Sequence, residues 1–196
     1  MRRLTSGLFV LLLSAAAFAQ RSALTASSNI AHLSQQAATI VHGQIVSVRV
    51  EPHPQLQNLT TVVVSLRVVE NFKGTAAPLF SFRQFVWDIR DKHDAAGYRK
   101  GQEVLLLLNA NSSYGLTSPA GMEQGRFEIF RDSKGVTMAV NGHGNAGLFA
   151  NMSGQLKQPG VRLSQATTNL VTQHRTGAVP LSQLEELIKQ FAGAPR

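Results

Sequence analysis

The sequence predicts a mainly β protein, a small barrel or alternatively a β-sandwich, and three observations predict it. Apolar and polar residues alternate through two long stretches, residues 46–50 and 60–72, at the period of a half-buried strand. Val104, Leu105, Leu106, Leu107 and Leu108 form a continuous apolar run between Gly101 and Asn109, too short for a comfortable helix and suited to a central strand. Asp132, Ser133, Lys134 and Gly135 separate two further short runs, a hairpin signal with glycine placed for positive φ. The chain of 196 residues is 43% hydrophobic and 15% charged, with ten Phe, enough apolar material for one core plus extensions and no case for disorder.

The elements follow in order. Arg2 and Arg3, an apolar run over residues 8–17 and the small residues Ala17 and Ala19 predict a secretory signal peptide, residues 1–19, cleaved near Ala19. The run falls well short of the ~20 residues a spanning helix needs, and no later segment reaches that length, so no transmembrane segment is expected. Residues 20–29 read as a flexible lead-in, and 30–150 as the β domain. A short helix opens that domain, capped by Ser28 or Asn29, with Ile30, Leu33 and Ala37 on one face. The strand over residues 39–50 stops at Pro52 and Pro54, because a proline removes a ladder donor and restricts the residue before it. The strand over 60–72 puts Val62, Val64, Leu66 and Val68 on one face, is long enough to bend around a barrel, and ends before Gly74. Residues 79–87 follow, with Phe80 and Phe82 opposite Arg83, Phe85 and Trp87, then a long polar loop over 88–101. Short strands are expected at 103–108, 114–117, 126–131 and 136–140. The glycine-rich stretch 141–151 reads as a mobile loop, and 151–180 as a linker rich in Gln, Ser, Thr and Gly. Residues 181–192 form a short amphipathic helix with Leu184, Leu187, Ile188 and Phe191 in one stripe and a capping box of Ser182 and Glu185. Too short to stand alone, that helix docks on its own domain or on a partner.

Four of these segments carry a resemblance: residues 38–48 (ATIVHGQIVSV), 64–74 (VSLRVVENFKG), 101–108 (GQEVLLLL) and 125–129 (GRFEI). They resemble a family of uncharacterised exported bacterial proteins, and their order is similar to the netrin-like modules of tissue metalloproteinase inhibitors. The resemblance implies an OB-like, netrin-like β-barrel with short flanking helices. Those inhibitors reach the protease metal through an N-terminal cysteine; this chain has no cysteine, so inhibition by that route is excluded.

The absence of cysteine also excludes a disulfide scaffold, a thiolate zinc site, a thiol nucleophile and a lipidated N-terminal cysteine. Export without cysteine fits a bacterial periplasm or medium. The formal charge of +8 is spread over dispersed Lys and Arg with no polybasic run, which argues against nucleic acid as a partner. The sequence lacks His-Glu-x-x-His spacing, a Gly-x-Ser-x-Gly elbow and a phosphate-binding glycine loop leading into a helix, so no cofactor is expected.

Two candidate sites remain. Arg83, Phe85 and Trp87 on one strand face, with Tyr98 across the loop, are the binding candidates, a stacking platform for an envelope protein, peptide or glycan. Asp88, Asp91, His93 and Asp94 offer oxygen and imidazole ligands to a divalent ion, although Arg90 and Lys92 interrupt them. The first set predicts a noncatalytic exported binding module; the second is the basis of the alternative, an envelope hydrolase with a loop-built metal or acidic site.

Overall fold

The computed structural model describes residues 27–86 and 92–193. The expected leader, most of the lead-in, and Trp87, Asp88 and Asp91 lie outside the described residues. Asn29 caps the first helix, α1 (Ile30–Gln36), its side chain accepting from the His32 amide at 3.0 Å. That bond satisfies one of the helix's orphan donors. At the other end the Lys73 ammonium donates to the Ser34 and Gln35 carbonyls, at 2.9 and 3.0 Å. A cation there also complements the helix dipole.

Seven antiparallel strands follow: β1 (Thr39–Pro52), β2 (Thr60–Lys73), β3 (Leu79–Phe85), β4 (Glu103–Leu108), β5 (Arg126–Arg131), β6 (Thr137–Asn141) and the two-residue β7 (Val179–Pro180). They form one sheet in the order β3-β2-β1-β4-β5-β6-β7, so the described residues do not build the two packed sheets of a sandwich. The sheet is not closed, and β3 and β7 are its edges. β1 is the shared strand. It pairs with β2 from Ile40 to Pro52 but with β4 only from Thr39 to Gln44, and its register against β2 shifts at three places before Ser47. Such irregularities add bend and twist, and let one strand serve two directions of the sheet.

Each face of the sheet has its own core. Val41, Ile45, Val62, Val64, Leu66, Phe82, Val104, Leu106 and Leu108 meet on one face, closed over by Ala96 and Tyr98. Ile40, Leu105, Leu107, Phe127, Ile129 and Ala139 meet on the other, beneath α1 and the C-terminal helices. Because β4 lies under cover on both faces, every residue from Val104 to Leu108 is buried, which accounts for its unbroken apolar run.

The region 151–180 is more structured than its composition suggests. It contains α2 (Ser153–Leu156) and α3 (Gln165–Gln173), and it sends Met152 and Val171 into the helix-covered core. Ser164 caps α3 and is itself held by Glu186, which accepts from the Ser164 amide at 2.5 Å, from its hydroxyl at 2.8 Å and from the Thr167 hydroxyl. The last helix, α4 (Leu181–Ala192), buries Leu184, Leu187, Ile188 and Phe191 against the sheet and α1. It starts after Pro180 without the expected Ser182 cap, and the two acids of its first turns are spent on tertiary contacts, Glu185 on the sheet and Glu186 on α3.

The glycine-rich stretch after β6 is held rather than loose. Asn141 and Asn145 bond reciprocally, each side-chain oxygen accepting from the other's amide, at 2.8 and 2.9 Å. The Asn145 side-chain Nδ2 donates to the Ala139 and Gly177 carbonyls, at 3.0 and 2.9 Å, from a fully buried residue. No described helix is long and apolar enough to cross a membrane.

Candidate functional site

Strand alternation divides β3 as its sequence does. Phe82 and Gln84 point into the inner core, while Arg83 and Phe85 occupy the opposite face, partly exposed, in register with Val63 and Thr61 of β2. Arg83 is held in place there. Its guanidinium donates to the Glu51 carboxylate and to the Thr61 hydroxyl, each at 2.6 Å, and holds the Glu51 carboxyl below its usual pKa, with Arg49 adding to the effect. Such partners fix the orientation of the side chain.

The free edge of β3 meets the 109–118 segment. The Thr117 amide donates to the Arg83 carbonyl at 2.9 Å, and Thr117 and Asn109 tie that segment to itself. Between this segment and the end of β3 lies a cleft of about 180 Å3, lined by Phe85 and Leu116 with the polar residues Asn109, Thr117 and Ser118. Tyr114 stands on the same segment, 52% exposed, its ring edge-on to the buried His53, whose Nε2 lies 2.9 Å from the Tyr114 carbonyl. The sequence predicts a strand from Tyr114, but the residue lies in a turn, as a lone aromatic among Asn, Ser and Gly signals.

Tyr98 lies elsewhere. It is 2% exposed within the inner core, edge-on to Phe82 at 5.7 Å, donating its hydroxyl to Gln84 at 3.0 Å, with the Arg126 guanidinium 4.8 Å above its ring. Burial holds its phenol well above the usual pKa. Tyr98 therefore closes the core instead of sharing a face with Arg83 and Phe85. Of the metal candidates, His93 is exposed and Asp94 caps the 3-10 turn Ala95–Gly97 by accepting from the Gly97 amide. Among the described residues no group of three His, Asp or Glu side chains is arranged to hold a metal ion.

A second polar cluster joins α4 to the sheet. His42 on β1, 6% exposed, has Nε2 at 2.8 Å from Glu103 of β4 and Nδ1 at 3.2 Å from Glu185 of α4. Beside it Lys189 pairs with Glu70 at 2.8 Å and lies over the Phe72 ring. Burial raises the Glu185 carboxyl above its usual pKa, against the opposing field of His42; Glu70 adds to the rise and Lys189 works against it. A carboxyl raised on folding contributes stability that is fully present below its unfolded value, near 4.5, and lost as pH rises through the folded one. Removing His42 extends that window upward. His42→Leu is therefore expected to cost about 2 kcal/mol at neutral pH, with the deficit shrinking as Glu185 protonates. Urea denaturation of both proteins across the acid range checks this; a deficit independent of pH would assign it to packing alone.

Comparison with protein-family models finds no match, and no curated protein or solved structure matches the chain.

Proposed function

We propose that the protein is an exported, noncatalytic binding module of the OB-like, netrin-like barrel type, and that it recognises an envelope glycan on the outer face of β3. The barrel reading is supported by β1, which bends through its register shifts and is shared between β2 and β4 as curling a sheet requires. The observation that carries the function is the cleft beside Phe85. An apolar ring face next to a neutral amide and hydroxyls suits a sugar ring, whose C–H faces stack on aromatic carbons while its hydroxyls exchange hydrogen bonds with Asn, Ser and Thr. Arg83, on the same strand face as Phe85, is pinned by Glu51 and Thr61. Trp87, two residues beyond Phe85 in the sequence, is the second aromatic candidate.

Co-sedimentation with isolated peptidoglycan sacculi tests the reading. The full chain is expected to pellet with sacculi whether or not the stem peptides have been stripped, and Phe85→Ser and Trp87→Ala are expected to weaken retention about tenfold, the loss typical of a binding hot spot. Equal retention of folded variants, or none by the parent, would overturn the assignment. Release of soluble fragments by the parent protein would instead support the envelope hydrolase.

A further inference from the structure

A second cleft, remote in sequence from β3, opens between the 147–153 segment and the C-terminal end of α3, with a volume of about 450 Å3. That lies within the range of small-molecule pockets, ~300–1,000 Å3. Its apolar surface comes from Phe149, Met152 and Val171, all buried. Its polar rim comes from Ser153, His174 and Arg175, and among the described residues none that lines it is acidic.

Both basic residues have unspent capacity. The Arg175 guanidinium donates to the Thr172 and His174 carbonyls, at 2.9 and 3.0 Å, and pairs with no carboxylate among the described residues. His174 lies edge-on to Phe149 at 5.6 Å, and its Nε2 is buried without a hydrogen bond. Buried polar atoms are rarely left so. Burial also holds the His174 pKa below its usual value, with the Arg175 charge adding to it and a backbone hydrogen bond with Gly177 working the other way, which favours the neutral ring.

The walls are fixed. The Leu148 carbonyl accepts from the Ile30 amide at 2.8 Å and the Ala150 carbonyl from the Asn29 side chain at 2.9 Å. On the other side, the chain following Arg175 is tied back by bonds from Thr176 and Gly177 to the Gly144 carbonyl. A pre-formed cleft loses little ordering entropy on binding.

We propose that this cleft binds a small organic anion, a carboxylate on a flat or branched apolar body, with the body against Phe149, Met152 and Val171 and the carboxylate at Arg175. The charge of the rim selects the anion, and the apolar floor selects against simple inorganic or two-carbon acids.

Amide NMR titration of the full chain with phenylacetate, phenylacetamide and acetate tests this. Phenylacetate is expected to give saturable shifts confined to residues 147–153 and 171–175, with a dissociation constant on the order of a millimolar, as for a ligand of few heavy atoms. The neutral amide and acetate are each expected to bind at least ~tenfold more weakly, and Arg175→Gln, on an exposed helix end, to remove the preference for the acid over the amide. Ser153→Trp, also exposed, is expected to abolish all shifts by filling the mouth. The proposal is overturned if phenylacetate gives no saturable shift, if the shifts fall elsewhere, or if acid and amide bind alike.

Discussion

Gly43→Ala is expected to destabilise the protein by about 3 kcal/mol or more, among the largest effects of a single methyl group anywhere in the fold. A Cβ at this position would sit 2.4 Å from the Arg67 carbonyl oxygen and 2.9 Å from the Leu66 side chain. The first contact is with backbone, so no rotamer relieves it; β2 has to move. Leu66 is wholly buried in the inner core, and displacing it opens that core beside β1, the strand shared by both halves of the sheet. Equilibrium urea denaturation followed by circular dichroism measures the loss. Gly154→Ala is the control, because its Cβ meets nothing within 4 Å and its backbone lies in an ordinary helical conformation, so that change is expected to stay within ~0.5 kcal/mol. If the two variants were equally stable, β1 and β2 would not approach as closely as the structure has them.

Asn145→Ala is expected to cost about 4 kcal/mol. One side chain accepts from the Asn141 backbone amide and donates to the Ala139 carbonyl in the interior, and donates to the Gly177 carbonyl at the interior's edge. Each buried group deprived of its partner costs ~1–3 kcal/mol. Asn145 also sits at φ +58°, where asparagine is better tolerated than alanine. Asn145→Asp keeps the acceptor but turns an oxygen towards two carbonyls, and is expected to be no better than alanine. Thermal unfolding of both variants decides; a loss below ~1 kcal/mol for either would show that the turn is not anchored by this side chain.

These two residues also show what the sequence makes legible. Alternation and turn chemistry locate β1, β2, β4 and β5 within a residue or two, because local period and local termination signals determine where a strand can run. Asn29 announces its cap for the same reason. Asn145 gives no such notice: one partner, Gly177, lies 32 residues away and another, Ala139, lies within β6, so a glycine-rich stretch reads as loose until the fold brings them together. α3 is hidden likewise, since Gln, Thr and Asn dominate it and its stability comes from Val171 in the core and from Glu186 on another helix. Of the candidate face, the alternation of Arg83 and Phe85 was visible, but Tyr98 was not separable from them, because loop length says nothing about which side of a sheet a loop returns to. The His42 cluster needed three elements to be placed before its chemistry existed.

The packing of α1 on α4 constrains how the molecule assembles. Ile30, near the start of the domain, and Phe191, near its end, share one core, so that core has no complete wall until nearly the whole chain is present. The antiparallel pairs of β1 to β3 can form early from neighbouring sequence, but half of the sheet's apolar surface waits for the last dozen residues. Contacts of such long separation slow folding. A chain shortened before α4 is expected to remain unfinished, whereas a circular permutant that joins the ends and opens at the exposed turn near Ser113 keeps every packed element and turns that last contact into a local one.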